Sequence, residues 1–115
     1  MIRLWKAFLY SLAGLSTAWQ EAAVRLEVWT LVVAVPLALW LPVDAVQKLL
    51  LIGSVVAILV IEIVNSAIEA AIDRISSDRH PLSKAAKDLG SAAVFVASLF
   101  AAATWIALLA PLLLR

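Results

Sequence analysis

Glu62, Asn65, Glu69 and Asp73 follow one another at steps of three, four and four residues. At 100° per residue that spacing draws all four onto one stripe of a helix. The segment holding the two glutamates, residues 49–72, carries no other charge in its 24 positions, so the stripe must face protein or water. An acid at bilayer depth costs roughly 2.5 to 3.5 kcal/mol on insertion scales and marks an ion path, a proton relay or a catalytic centre. The plainer alternative is hydrogen bonding between helices, which Asn65 and Ser66 could supply alone. Two glutamates and an asparagine on one face favour the functional reading. The helix rise sets Glu62 about 10 Å deeper than Glu69, so the stripe joins a membrane surface to the lipid.

A second cluster, Lys84, Lys87, Asp88 and Ser91, shares one face at the start of a later helix. Lysines at a membrane surface are ordinarily solvated or paired with lipid phosphate, which suffices for Lys84. Lys87 beside Asp88 suggests more, because an acid in a first helical turn can steer a lysine and join a phosphate or metal site. Gly90 lets another helix come close. Glu21 and Arg25 are spaced as an ordinary i, i+4 surface pair. Glu21 nevertheless lies at the depth expected for Glu69, and two carboxylates are the usual minimum for holding Mg²⁺ beside phosphates.

What is missing narrows the chemistry. The chain has no cysteine, which excludes thiolates and disulfides. Glycine occurs only at 14, 53 and 90, so neither a phosphate-binding glycine loop nor a dinucleotide fingerprint can be written. A single histidine, His80, argues against zinc. A nucleotide would therefore be held by carboxylates through a metal and by lysine, on helices. The net charge of +1, without a block of like charges, offers nothing to a nucleic acid.

The elements that must position these groups follow from composition. Of 115 residues 65% are hydrophobic, and the mean hydropathy is +1.06, too oily for a small soluble body to hide. Residues 89–114 run 26 positions without a charge, enough to cross a hydrocarbon core that needs about 20 helical residues. Residues 49–72 make a second span. Residues 28–43 are only 16 uncharged positions, so this span extends back through Glu27 toward Ala22. Pro36 can kink it without ending it, and Pro42 with Asp44 marks the turn that follows. Before it, Trp5, Phe8, Leu12, Leu15, Trp19, Ala22 and Leu26 line one face of a helix suited to lie on the membrane. Trp5 and Trp19 would rest at headgroup depth, with Arg3 and Lys6 toward anionic lipid. The same stripe could instead pack on neighbouring helices. Arg3 and Lys6 precede no cleavage site, so this segment reads as mature structure rather than a signal peptide.

The expected fold is thus an all-α membrane protein of one domain over 1–115. It has an amphipathic surface helix over 1–26 and spans over 27–43, 48–73 and 87–114. Seven of nine basic residues, Arg3, Lys6, Arg25, Arg74, Arg79, Lys84 and Lys87, fall on one side, against Lys48 and Arg115 on the other. The positive-inside rule puts the N-terminus and the 74–88 loop in the cytoplasm and the C-terminus outside.

The run Glu62-Ile-Val-Asn-Ser-Ala-Ile-Glu69-Ala-Ala-Ile-Asp73-Arg74, then His80-Pro-Leu and Ala86-Lys87-Asp88-Leu-Gly-Ser91-Ala-Ala, resembles the bacterial integral-membrane diacylglycerol kinases. The likeness extends over nearly the whole chain, through Trp19-Gln-Glu21-Ala-Ala and Trp40-Leu-Pro-Val-Asp44. It implies a homotrimer in the bacterial inner membrane that moves the γ-phosphate of MgATP to the primary hydroxyl of diacylglycerol, giving phosphatidate. Carried over by motif, Glu62 is the general base, and Glu21 and Glu69 hold the Mg²⁺ that bridges the ATP phosphates. Lys87 contacts phosphate, Asp88 helps position it, and Asn65 hydrogen-bonds nearby. Arg3, Tyr10, Asp78, Arg79 and His80 touch the nucleotide, while Ser91, Trp105, Lys48 and the Glu27 region line the lipid pocket. The family builds each site from more than one chain. Pro42 and Lys48 depart from its pattern, where an acid and an arginine are usual, and the chain lacks the family's longer N-terminus.

The residues suit that division of labour. Phosphoryl transfer asks chiefly for positioning and charge neutralisation, and a deep glutamate can take a proton from a hydroxyl arriving through the bilayer. Two alternatives compete. An undecaprenol kinase shares the Glu and Lys-Asp motifs, although Asp88-Leu-Gly-Ser-Ala-Ala resembles the diacylglycerol branch. A small proton-coupled transporter would use an intramembrane glutamate but gives no role to Glu21, Lys87 or Asp88.

Overall fold

The computed structural model describes residues 1–115 as four helices: α1 Ile2–Ala18, α2 Ala22–Trp40, α3 Ala45–Ile75 and α4 Pro81–Leu113. The last three are long and apolar enough to cross a membrane. At about 1.5 Å per residue, the 31 residues of α3 and the 33 of α4 outrun a hydrocarbon core of about 30 Å, so both project beyond it.

Their ends are set by local chemistry. Asp44 opens α3 with a reciprocal cap, accepting from Gln47 N at 2.8 Å while Gln47 Oε1 accepts from Asp44 N at 2.9 Å. Lys48 donates to the Leu39 carbonyl at 2.6 Å, satisfying an acceptor that the end of α2 would leave open. At the other membrane surface, His80 caps α4 by accepting from Leu82 N at 3.1 Å, with Pro81 in the first turn where its missing N–H costs nothing. Pro36 and Pro111 lie inside α2 and α4 without ending them.

The surface helix expected over 1–26 ends at Ala18, and the chain bends at 19–21. Helix α2 begins at Ala22, the limit toward which the extension of the first span through Glu27 pointed, while α4 starts at Pro81, six residues before the expected 87. Arg25 explains the elbow: its Nη1 donates to the Trp19 carbonyl at 2.7 Å, fastening the end of α1 to the first turn of α2. No ion pair joins Arg25 to Glu21, because the chain's two ion pairs are both on α3 and α4.

Helix α3 is central, with α2 and α4 packed on it, whereas α1 has no substantial packing partner within the chain. Leu51, Ser54, Val55 and Ile58 are buried along one face of α3, as are Ala34 and Ala38 on α2 and Ala101 on α4. Small side chains at these crossings let backbones approach, the usual device where lipid removes any hydrophobic drive between helices. The Leu51 carbonyl additionally accepts from Ser54 Oγ at 2.9 Å and from Trp105 Nε1 at 3.1 Å, tying α4 to α3.

Candidate active site

Leu51, Val55, Ile58, Glu62, Asn65, Glu69 and Asp73 continue one stripe of α3 at steps of four and three. Its outer half is buried and almost wholly apolar. Its inner half is polar: Glu62, Asn65 and Glu69 are half-buried, and Asp73 is exposed at the end. Asn65 Nδ2 donates to Glu69 Oε1 at 3.3 Å, while Asn65 Oδ1 is buried with no donor. Directly across the α3–α4 seam lies the buried backbone of Gly90. Farther along, Lys87 reaches Asp73 at 2.9 Å and Lys84 pairs with Asp88 at 2.5 Å. Lys87 is thus joined to the α3 stripe through Asp73 and not to Asp88, its neighbour in sequence. Both pairs are solvent-exposed, where ion pairs contribute little and partners exchange readily.

Two cavities flank the stripe. A polar one of about 710 Å³ is enclosed by the end of α3, the 76–80 loop and the start of α4, with Asp73, Asp78, Arg79, His80, Lys84, Lys87 and Asp88 in its wall. The N-terminus of α4 opens onto it, adding the positive end of a helix dipole. The second, also about 710 Å³, is an apolar groove between α2 and α4 floored by Val55 and Ile58 of α3. Glu27 and Trp105 line it, and one carboxylate oxygen of Glu27 is buried without a hydrogen-bond donor. Along α3, Glu62 and Glu69 fall between Ile58, at the floor of the groove, and Asp73, in the wall of the polar cavity.

Residues 9–109 match the family model described as prokaryotic diacylglycerol kinase. The chain belongs to that family. It is 52% identical over 108 residues to a diacylglycerol kinase of Escherichia coli K12, covering 93% of this chain and 88% of the relative. Over the same coverage it is 47% identical to a diacylglycerol kinase of Pseudomonas aeruginosa. A diacylglycerol kinase of Helicobacter pylori J99 is 40% identical over 104 residues, 90% of this chain and 81% of the relative. A prokaryotic diacylglycerol kinase implies ATP as co-substrate.

Within this diacylglycerol kinase family member the expected site residues divide into those one chain gathers and those it leaves apart. Glu62, Asn65 and Glu69 share the α3 face, and Asp78, Arg79, His80, Lys87 and Asp88 share the polar cavity. Arg3 and Tyr10 line a separate concavity of about 420 Å³ on α1. Glu21 is the last residue of the bend and the N-cap of α2, its side chain making no capping hydrogen bond. Ser91 is exposed beside Gly90 and outside the groove wall, and Lys48 is about 21 Å along α3 from Glu62. Thr30 and Ser98 line the groove but were not singled out in the sequence. Ser98 falls one heptad before Trp105, the signal that would have found it.

No three acidic or histidine side chains converge within one chain to hold a metal. Glu21 and Glu69 are hard oxygen donors of the kind Mg²⁺ takes together with phosphate and water, and they stand on separate elements, at the N-cap of α2 and on α3.

Proposed function

We propose that this chain is an ATP-dependent diacylglycerol kinase of the bacterial inner membrane, its N-terminus and 74–88 loop cytoplasmic and its C-terminus periplasmic. The observation that carries the reading is the α3 stripe, which has Glu62 between a polar cavity at the surface and an apolar groove in the bilayer. In this reading the triphosphate occupies the polar cavity with Arg79, His80 and Lys87 against it. Lys87 exchanges Asp73 for a phosphate oxygen, and Asp88 keeps Lys84 aside. Glu21 and Glu69 would hold Mg²⁺, which when bound would supply neutralisation of phosphate charge. Arg3 and Tyr10 contribute to the nucleotide from α1.

Diacylglycerol lies with its chains along the groove beside Trp105, its glycerol end toward Glu27 and Glu62. Glu62 takes the proton of the primary hydroxyl as that oxygen bonds to the γ-phosphorus and the bond to ADP breaks, giving phosphatidate. Ser91, beside Gly90, and Lys48, at the start of α3, border opposite ends of the lipid path in this scheme. A homotrimer with sites composed from neighbouring protomers is supported by the unpacked α1, by Glu21 lacking an ion-pair partner, and by the many large apolar side chains left exposed by a single chain.

The test is phosphorylation from labelled ATP with diacylglycerol and undecaprenol supplied in parallel to the reconstituted protein. Diacylglycerol is expected to be the preferred acceptor. Preferential labelling of the polyprenol would transfer the same chemistry to the other lipid, and transport without ATP turnover would end the kinase reading.

A further inference from the structure

Asn65 combines two observations that do not explain each other. Its Nδ2 serves Glu69, a half-buried carboxylate, at 3.3 Å. Its Oδ1 is buried and has no N–H or O–H donor, an arrangement that normally costs free energy. Turning the amide over would not help, because it would bring Oδ1 against the Glu69 carboxylate. What holds the amide is shape. A Cβ built on Gly90 collides with Asn65 Oδ1 and comes within 3.0 Å of its Cγ. The hydrogen that glycine carries in place of that Cβ thus points at Oδ1, leaving a weak Cα–H···O contact as its partner.

Neither of the other glycines shows such a contact: a Cβ at Gly14 or Gly53 meets nothing within 4 Å. Gly90 is also on α4, three residues beyond Lys87, whereas Asn65 and Glu69 are on α3. The contact therefore couples the seam between two helices to the direction of one carboxylate.

We propose that Gly90 is a positioning residue for the nucleotide side of the reaction: by presenting bare backbone to Asn65 it seats the amide so that Nδ2 orients the Glu69 carboxylate. This rests on the role of Glu69 in holding the metal and nucleotide given above. A methyl group at 90 displaces the amide and frees the carboxylate, so MgATP is affected and the lipid is not.

The experiment uses the full chain in lipid-containing micelles, with KM for MgATP and for diacylglycerol measured separately and folding followed by thermal melting. Gly90→Ala is expected to raise KM for MgATP about tenfold, the scale of one hydrogen bond to a charged group, with KM for diacylglycerol held within about twofold. Asn65→Ala should show the same rise, and the double variant should be no worse than Asn65→Ala alone, since no amide remains to be displaced. Should Gly90→Ala fail to fold, the double variant must fold, and its failure to do so would place the collision elsewhere and overturn the proposal. An unchanged KM for MgATP in folded Gly90→Ala, or an equal further loss on adding it to Asn65→Ala, also overturns it. Glu69→Gln separates the two levels: if it leaves MgATP affinity unchanged the site reading itself fails, whereas weakened affinity there with a silent Gly90→Ala removes only the role of Gly90.

Discussion

The two halves of α3 follow the same helical stripe and do opposite things with it. Outward from Ile58 the stripe is dry: Leu51 is fully buried, and Ser54, its one hydroxyl, is spent on a carbonyl one turn back. Inward from Glu62 the same positions hold ionisable and amide groups that remain half-exposed and only partly bonded. A helix in lipid can satisfy all its backbone polar groups internally, so the outer half only has to pack. The inner half carries an energetic cost that packing does not remove. The contrast teaches that incompletely satisfied polarity, confined to one half of an otherwise well-packed helix, marks the reacting end.

The comparison is broken most forcefully at its polar end. Glu62→Gln should lower the transfer rate by about a thousandfold or more, within the range of a lost general base, while MgATP binding and assembly persist; retained turnover would remove the assignment. In the dry half, Leu51→Ala should cost about 2 to 4 kcal/mol of stability, as for a buried leucine, seen as a lowered melting temperature. At temperatures where the protein stays folded, kcat should be nearly unchanged, and a large loss of kcat would blur the division between the halves. Back in the polar half, Glu69→Gln is expected to weaken MgATP binding about tenfold with little change in stability, the reverse of the Leu51 signature. The smallest effect belongs to Trp105→Phe. Losing its bond to the Leu51 carbonyl should cost about 0.6 kcal/mol, the average for an interhelical hydrogen bond in a membrane, measurable in reversible unfolding.

The three spans and the α3 stripe were legible because hydropathy and a period of 3.6 are written directly into residue order. The polar cavity was half legible: the 78–80 loop and Lys87-Asp88 were visible, but the partner of Lys87 proved to be Asp73, fourteen positions away, and no local pattern encodes such a pairing. The elbow at 19–21 was hidden because the apolar stripe runs through it without a glycine or proline, and the hydrogen bond from Arg25 to the Trp19 carbonyl that fastens it follows no helical spacing. Lys48 was expected beside the lipid on resemblance, while its ammonium is committed to the end of α2. The pairing of Gly90 with Asn65 was legible only as a glycine that permits close approach, since the identity of the neighbour depends on helix register.

The Trp105 bond to the Leu51 carbonyl fixes α4 far from the end that carries Lys87. Eighteen residues separate the two, about 27 Å along a rigid rod. Anchored there, α4 is a lever with its fulcrum toward the end of the bundle remote from Lys87. A swing of about 3° carries the lysine about 1.4 Å at that radius, comparable with the distance between making and losing a contact to a phosphate oxygen.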